Sequence, residues 1–168
     1  MTAPNFDAIP QELKALPQWV LWRREVRKGK PTKVPYTPYN TLASTIDPQT
    51  WSSFEIIRTA YARGGYDGLG FVFVRELGLT AIDLDHCRDS STGEIDEWAL
   101  NIIRKFNSYT EVSPSGEGVH ILVKGSLPAG VIGKKKNLKG KGYRPLAAIE
   151  MYSGGRYFTM TGDSYEVP

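Results

Sequence analysis

Cysteine is nearly missing from these 168 residues: there is one, Cys87, so no internal disulfide can form. A chain without cross-links suits a reducing compartment, and a cytoplasmic protein is expected. Histidine is almost as scarce, with only His86 and His120. His86 and Cys87 are adjacent and lack two further ligands at useful spacing, so no structural zinc is expected. No apolar run approaches the ~20 residues of a membrane span. The longest, such as Phe71-Val72-Phe73-Val74, have the length of a strand. Residues 1–10 show no basic stretch followed by an apolar one, so neither a signal peptide nor a membrane partner is expected. Internal repeats and low-complexity tracts are absent, and a net charge of +3 is too small to indicate a partner by itself.

What is present is an ordinary globular composition, 40% hydrophobic and 23% charged, in one domain's length of chain, residues 1–168. A short helix is expected over 11–16, closed by Pro17, then a buried strand Trp19-Val20-Leu21-Trp22. A basic hairpin turn over 23–33 leads into Val34-Pro35-Tyr36. Asp47-Pro48 marks a helix entry, and Phe54, Ile57 and Tyr61 recur at helical spacing over 51–62, with Ser52 or Ser53 as cap and Gly64-Gly65 as terminator. Strands over 68–74 and 79–85 read as neighbours in one sheet. A second helix is expected over 94–106, then strands over 109–112 and 119–123. Residues 127–143 read as irregular. Strands over 146–151 and 157–160 close the sheet around a Ser153-Gly154-Gly155 turn, and Glu166-Val167-Pro168 carries no evident terminal element. Strands in clusters mixed with helices indicate α+β.

The chemistry begins at Leu79-Thr80-Ala81-Ile82-Asp83-Leu84-Asp85, an apolar strand ending in two carboxylates at i and i+2. Strand side chains alternate, so Asp83 and Asp85 share a face while Ile82 and Leu84 take the other. Two acids side by side call for a cation, and oxygen donors suit magnesium or manganese. The alternative is a solvated acidic strand end. In Ser115-Gly116-Glu117-Gly118-Val119-His120 the glycines admit a bulky anion to backbone amides, with Ser115 and His120 as added donors: either a triphosphate cradle or a plain hairpin turn with a satisfied histidine. Glu150 ends an apolar strand where an unpaired carboxylate is costly. It either joins Asp83 and Asp85 or pairs with Arg144 or Arg156, and Arg156 could instead hold a phosphate. Two basic stretches, 23–33 and 134–144, hold 12 of the 21 Lys and Arg residues. They suit a nucleic-acid backbone or form solvated loops.

Taken in order, apolar-D-x-D, S-G-x-G-x-H and apolar-E resemble the three motifs of archaeo-eukaryotic primases. Pro17-Gln18-Trp19-Val20, Lys33-Val34-Pro35-Tyr36, Asp47-Pro48, Gly68-Leu69-Gly70-Phe71-Val72, Ser108-Tyr109-Thr110-Glu111-Val112-Ser113-Pro114-Ser115-Gly116 and Ser153-Gly154-Gly155-Arg156-Tyr157 sharpen the match. These are similar to bifunctional primase-polymerase (prim-pol) domains of phage, plasmid and integrated-element replication proteins, most of all to the deep-sea vent phage type. The resemblance covers roughly residues 15–163. It implies an RNA-recognition-type antiparallel sheet with helices, packed with an N-terminal α/β unit, the active site in the cleft between them. It further implies template-directed DNA primase-polymerase activity using dNTP or NTP with two Mg²⁺ or Mn²⁺ ions on Asp83, Asp85 and Glu150. Ser115, Gly116, Gly118, His120, Arg156 and Lys33 would hold the nucleotide, with Tyr157 near the sugar. Arg24, Lys28, Lys30, Lys134, Lys135, Lys136 and Lys139 would meet single-stranded template and primer. Such domains commonly precede a helicase or a small helical domain, so this chain is expected to be the N-terminal part of a longer replication protein.

Three rival readings stand beside this one. A D-x-D phosphohydrolase places its nucleophilic aspartate near the chain start, unlike Asp83. A relaxase needs a His-x-His pair, which two separated histidines do not supply. An inactive single-stranded DNA or origin-binding replication module keeps the fold without the chemistry, and metal-dependent dNTP incorporation separates it from the enzyme.

Overall fold

The computed structural model describes residues 3–166; Met1, Thr2, Val167 and Pro168, at the two chain ends, lie outside the described residues. The described residues form two antiparallel sheets. Strands β1 (Trp19–Arg27), β2 (Lys30–Tyr36), β3 (Gly68–Phe73) and β9 (Arg156–Met160) make one, in the order β2-β1-β3-β9. Strands β4 (Leu79–Asp85), β5 (Thr110–Val112), β6 (Val119–Lys124), β7 (Gly133–Asn137) and β8 (Ala148–Tyr152) make the other, in the order β5-β6-β4-β8-β7. Three helices accompany them: α1 (Gln11–Lys14), α2 (Phe54–Ala62) and α3 (Glu97–Phe106). This is the expected α+β class.

Burial explains the partition. In β1 the first four residues are buried and the basic half projects outward, turning back at Lys28 and Gly29, both at positive φ as a two-residue hairpin turn requires. Trp19 stacks edge-to-face on Phe54 of α2 and on Phe71 of β3, with ring centroids 4.9 and 5.1 Å apart. Each such pair contributes about 0.5–1.5 kcal/mol beyond area burial. On β4, Ile82 and Leu84 pack with Val119, Ile121 and the Ala99/Ile103 stripe of α3. Ala81, one step out of phase, joins the core shared with the first sheet, and Asp83 and Asp85 continue that same face.

Several expectations are corrected. Strands β3 and β4 are not neighbours: both edges of β3 are taken, by β1 and β9, and a 3₁₀ turn at Arg75–Leu77 followed by Gly78 at φ 60° carries the chain to the other sheet. Likewise β8 and β9 do not pair around the Ser153-Gly154-Gly155 turn but part into different sheets, so the N-terminal unit is completed by a C-terminal strand. Residues 127–143 are not wholly irregular, because β7 pairs with β8 across five positions. A lysine-rich edge strand gives no apolar alternation to read, and its charge blocks further pairing. The second helix starts at Glu97, since Ile95 bridges to Arg88 and the Asp96 amide donates to the Cys87 carbonyl. The Asp47-Pro48 entry yields only a 3₁₀ turn, with Asp47 accepting from the Gln49 amide at 3.0 Å. At α2 the N-cap is Ser53, with no side-chain cap bond.

Candidate active site

Strand register assembles the site. Asp83 lies opposite His120 on one side and opposite Glu150 on the other. His120 in turn opposes Glu111, and Glu150 opposes Lys135. Directly opposed residues share a face, so Glu111, His120, Asp83, Glu150 and Lys135 form one row across five strands, with Asp85 two residues further along. The His120 ring lies 4.9 Å from that of Phe158 on β9, which places the row where the two sheets meet.

The charges in this row are strongly coupled. Asp83 has one carboxylate oxygen, Oδ1, that is buried without a hydrogen-bond partner. Burial raises its pKa, and Asp85 and Glu150 add to the rise against the pull of His120 and Lys33. His120 Nε2 stands 3.8 Å from Asp83 and Nδ1 stands 3.3 Å from Glu111. Burial alone would lower the histidine's pKa, but these two acids overcome it and the net shift is upward. Glu150 is bonded by the Lys135 ammonium and the Tyr152 hydroxyl, which outweigh its burial and lower its pKa. Its partner is therefore Lys135 rather than Arg144, which is engaged with Asp96 and Asp89 at 2.9 and 3.6 Å. Arg156 stacks over the Tyr152 ring at 4.9 Å, and its charge also reaches Glu150.

Oxygen donors on one face, one of them buried and bare, fit a hard divalent cation. Among the described residues, however, no three His, Cys, Asp or Glu side chains are gathered closely enough to hold an ion as they stand. Glu150 is turned to Lys135 and Tyr152 instead.

Beside the acids, residues 113–118 fold into a tight loop. Gly116, at φ 78°, donates to the Ser113 carbonyl at 2.9 Å, and the Ser115 hydroxyl accepts from the Glu117 amide at 3.2 Å. Glu117's carbonyl accepts from the amides of Cys87 and Arg88, both at 3.0 Å, tying the loop to the end of β4. A Cβ on Gly118 would lie 2.6 Å from the Leu84 carbonyl, so only glycine permits this approach. A cavity of about 1040 Å³ opens next to the loop, lined by Trp22, Arg24, Arg88, Ser113, Ser115 and Gly116 among others.

Lys33 lies over Trp22 at 5.7 Å. Although the residue is exposed, desolvation lowers its pKa, while Asp83 and Asp85 pull it back up. Tyr157 alternates with Arg156 and Phe158 along β9 and so points away from His120; its hydroxyl donates to the Lys33 carbonyl at 2.7 Å, bracing the strand that carries the lysine. The residues expected to meet DNA fall in three places: Arg24 in the cavity lining, Lys28 and Lys30 at the exposed hairpin tip, and Lys134, Lys135 and Lys136 on edge strand β7 with exposed Lys139 beyond it. Three contributors escaped the sequence reading. Glu111 is a lone acid in a strand, Tyr152 falls between the strand expected over 146–151 and the Ser153 turn, and Arg88, which donates to the Gly116 carbonyl at 2.7 Å and lines the cavity, belongs to no motif.

No protein-family model matches the chain. It is 39% identical over 150 residues to a DNA primase-polymerase of Nitratiruptor phage NrS-1, across 89% of this chain. The chain belongs to the primase-polymerase family. It spans about a fifth of that relative's length, 20%, and the matched part carries the whole acidic row and the Ser115–His120 motif within an α+β frame of antiparallel sheets. No helix among the described residues is long and apolar enough to cross a membrane.

Proposed function

We propose that this domain is the catalytic core of a DNA primase-polymerase that adds dNTP or NTP to a primer 3′-hydroxyl or an initiating nucleotide during replication of a phage, plasmid or integrated element. The observation that carries this is the row: His120 and Glu150 flank Asp83 in register, and Asp85 shares their face. Asp83, Asp85 and Glu150 would hold two Mg²⁺ or Mn²⁺ ions, Glu150 by exchanging Lys135 for metal. Bound ions neutralise the triphosphate and lower the pKa of the attacking hydroxyl. Ser115, the amides of the 113–118 loop and Arg88 hold phosphates on the cavity side, while His120 and Lys33 reach them from beside Asp83 and Arg156 from the Tyr152 side. The 3′-oxygen then attacks the α-phosphorus as pyrophosphate leaves, so the side chains position and neutralise rather than react covalently. Lys134, Lys136 and Lys139, with Arg24, Lys28 and Lys30, take the template-primer backbone. Sequence beyond this domain supplies a helicase or helical partner.

The test is extension of a labelled primer on a DNA template with dNTPs and Mg²⁺ or Mn²⁺, beside Asp83→Ala/Asp85→Ala. Extension lost in the variant supports the proposal; extension that survives places the site elsewhere. The Lys135–Glu150 ion pair favours one rival, an inactive single-stranded DNA or origin-binding module whose lysine stands where metal would be. DNA binding without metal-dependent dNTP incorporation is its signature.

A further inference from the structure

Among the described residues Glu111 is the only acid with no exposed surface. Such a carboxylate is tolerated only when its oxygens are satisfied. Oε1 accepts from the Thr161 amide at 3.0 Å, and Oε2 accepts from the Gly162 amide and the Tyr109 hydroxyl, both at 2.8 Å. The two amides already anchor the segment after β9 to β5, and the Tyr109 hydroxyl adds a local bond. The fourth neighbour, His120 Nδ1 at 3.3 Å from Oε1, is not needed for that anchoring.

We propose that Glu111 is a positioning residue for His120, accepting a hydrogen bond from Nδ1–H so that Nε2 is the nitrogen presented to the Asp83 side of the cleft, where the nucleotide's phosphates bind. A carboxylate whose two oxygens accept from two amides and a hydroxyl meets the ring as an acceptor, so the ring nitrogen facing Oε1 carries the hydrogen. Phe158, its ring centroid 4.9 Å away, packs against the imidazole, and Asp83 Oδ1 stands 3.8 Å from Nε2. Tautomer and direction of the ring are thus set from behind by a group that touches neither nucleotide nor metal, as carboxylates set metal-bound histidines elsewhere. The phosphate arm rests on the function proposed above; the ring-nitrogen arm does not.

Two measurements test it. ¹⁵N-resolved NMR of the wild-type His120 ring, in EDTA, should show Nδ1 protonated. A neutral ring bare at Nδ1 and protonated at Nε2 overturns the proposal without any variant, and this arm decides the matter if Glu111→Gln fails to fold. Binding of inorganic tripolyphosphate in EDTA is then compared for Glu111→Gln, His120→Gln and the double variant. Each single change should weaken binding about 10-fold, and the double variant should bind no worse than His120→Gln alone. Losses that multiply would show that Glu111 acts through the fold rather than through His120 and would overturn the assignment. Wild-type protein that binds no tripolyphosphate would refute the phosphate cradle itself, leaving the NMR spectrum to judge Glu111.

Discussion

Replacing Asp83 by Asn should make the domain more stable and inactive at once. The aspartate's Oδ1 is buried with no hydrogen-bond partner, in a side chain 23% exposed. Burial raises its pKa above 3.8, and Asp85 and Glu150 raise it further, against His120 and Lys33. A raised carboxylate is a burden only when ionised: the penalty is absent below the unfolded value and grows as pH rises through the higher folded value. Asparagine keeps the acceptor but removes the charge, and with it the desolvation of a buried ion and the repulsion from Asp85 and Glu150. Partial exposure and the attraction of His120 trim that, so Asp83→Asn should gain about 1–2 kcal/mol near neutral pH. At a slope of about 2 kcal/mol/M the urea midpoint rises by about 0.5–1 M. Urea titrations in EDTA from about pH 4 to pH 8 should show the gain shrinking toward the acid end. With Mn²⁺ at about 100 times its Kd the wild type should gain about 2.7 kcal/mol, the variant little, and primer extension by the variant should fall to background. A variant less stable than wild type at neutral pH in EDTA would refute the view of Asp83 as a strained group held for function.

Other outcomes follow from the same geometry. Gly118→Ala would bring Cβ to 2.6 Å from the Leu84 carbonyl, and since backbone cannot yield cheaply it should cost about 1–3 kcal/mol by thermal melting and weaken nucleotide binding. Lys134→Ala with Lys136→Ala changes exposed positions of an edge strand, so the fold should persist while the salt dependence of DNA affinity drops by about one unit of log–log slope for each phosphate no longer neutralised. An unchanged slope would remove β7 from the DNA path. Cys87 is fully buried, and burial, reinforced by Asp96, pushes its thiol up to about 12. It should resist thiol reagents at about pH 8 until the protein is unfolded, and prompt labelling of the native protein would contradict this packing.

Much of the architecture was legible because it is local. The four buried residues opening β1, the alternation of Ile82/Leu84 with Asp83/Asp85, and the helical spacing of α2 are properties of neighbouring residues, and each appears in the expected place. The glycines of the 113–118 loop likewise marked a tight turn beside the acids. Illegible were features set by distant partners. Lys134, Lys135 and Lys136 form a strand because β8 offers them an edge, which no property of a basic tripeptide announces. Glu111 reads as an ordinary strand residue until the segment at Thr161 and Gly162 closes over it.

By itself the sequence determined the residue types of the site and the strands that carry them, since side-chain alternation follows from the pleat of a single strand. Tertiary structure alone decided the rest: that β3 and β4 part into different sheets, that Asp83 stands between His120 and Glu150, and that Lys135 holds Glu150. The physical reason is that a strand's hydrogen-bonding edges are nearly indifferent to sequence. Which edge pairs with which is settled by burial and loop closure across the whole chain, and here that choice brings the scattered acids onto one face.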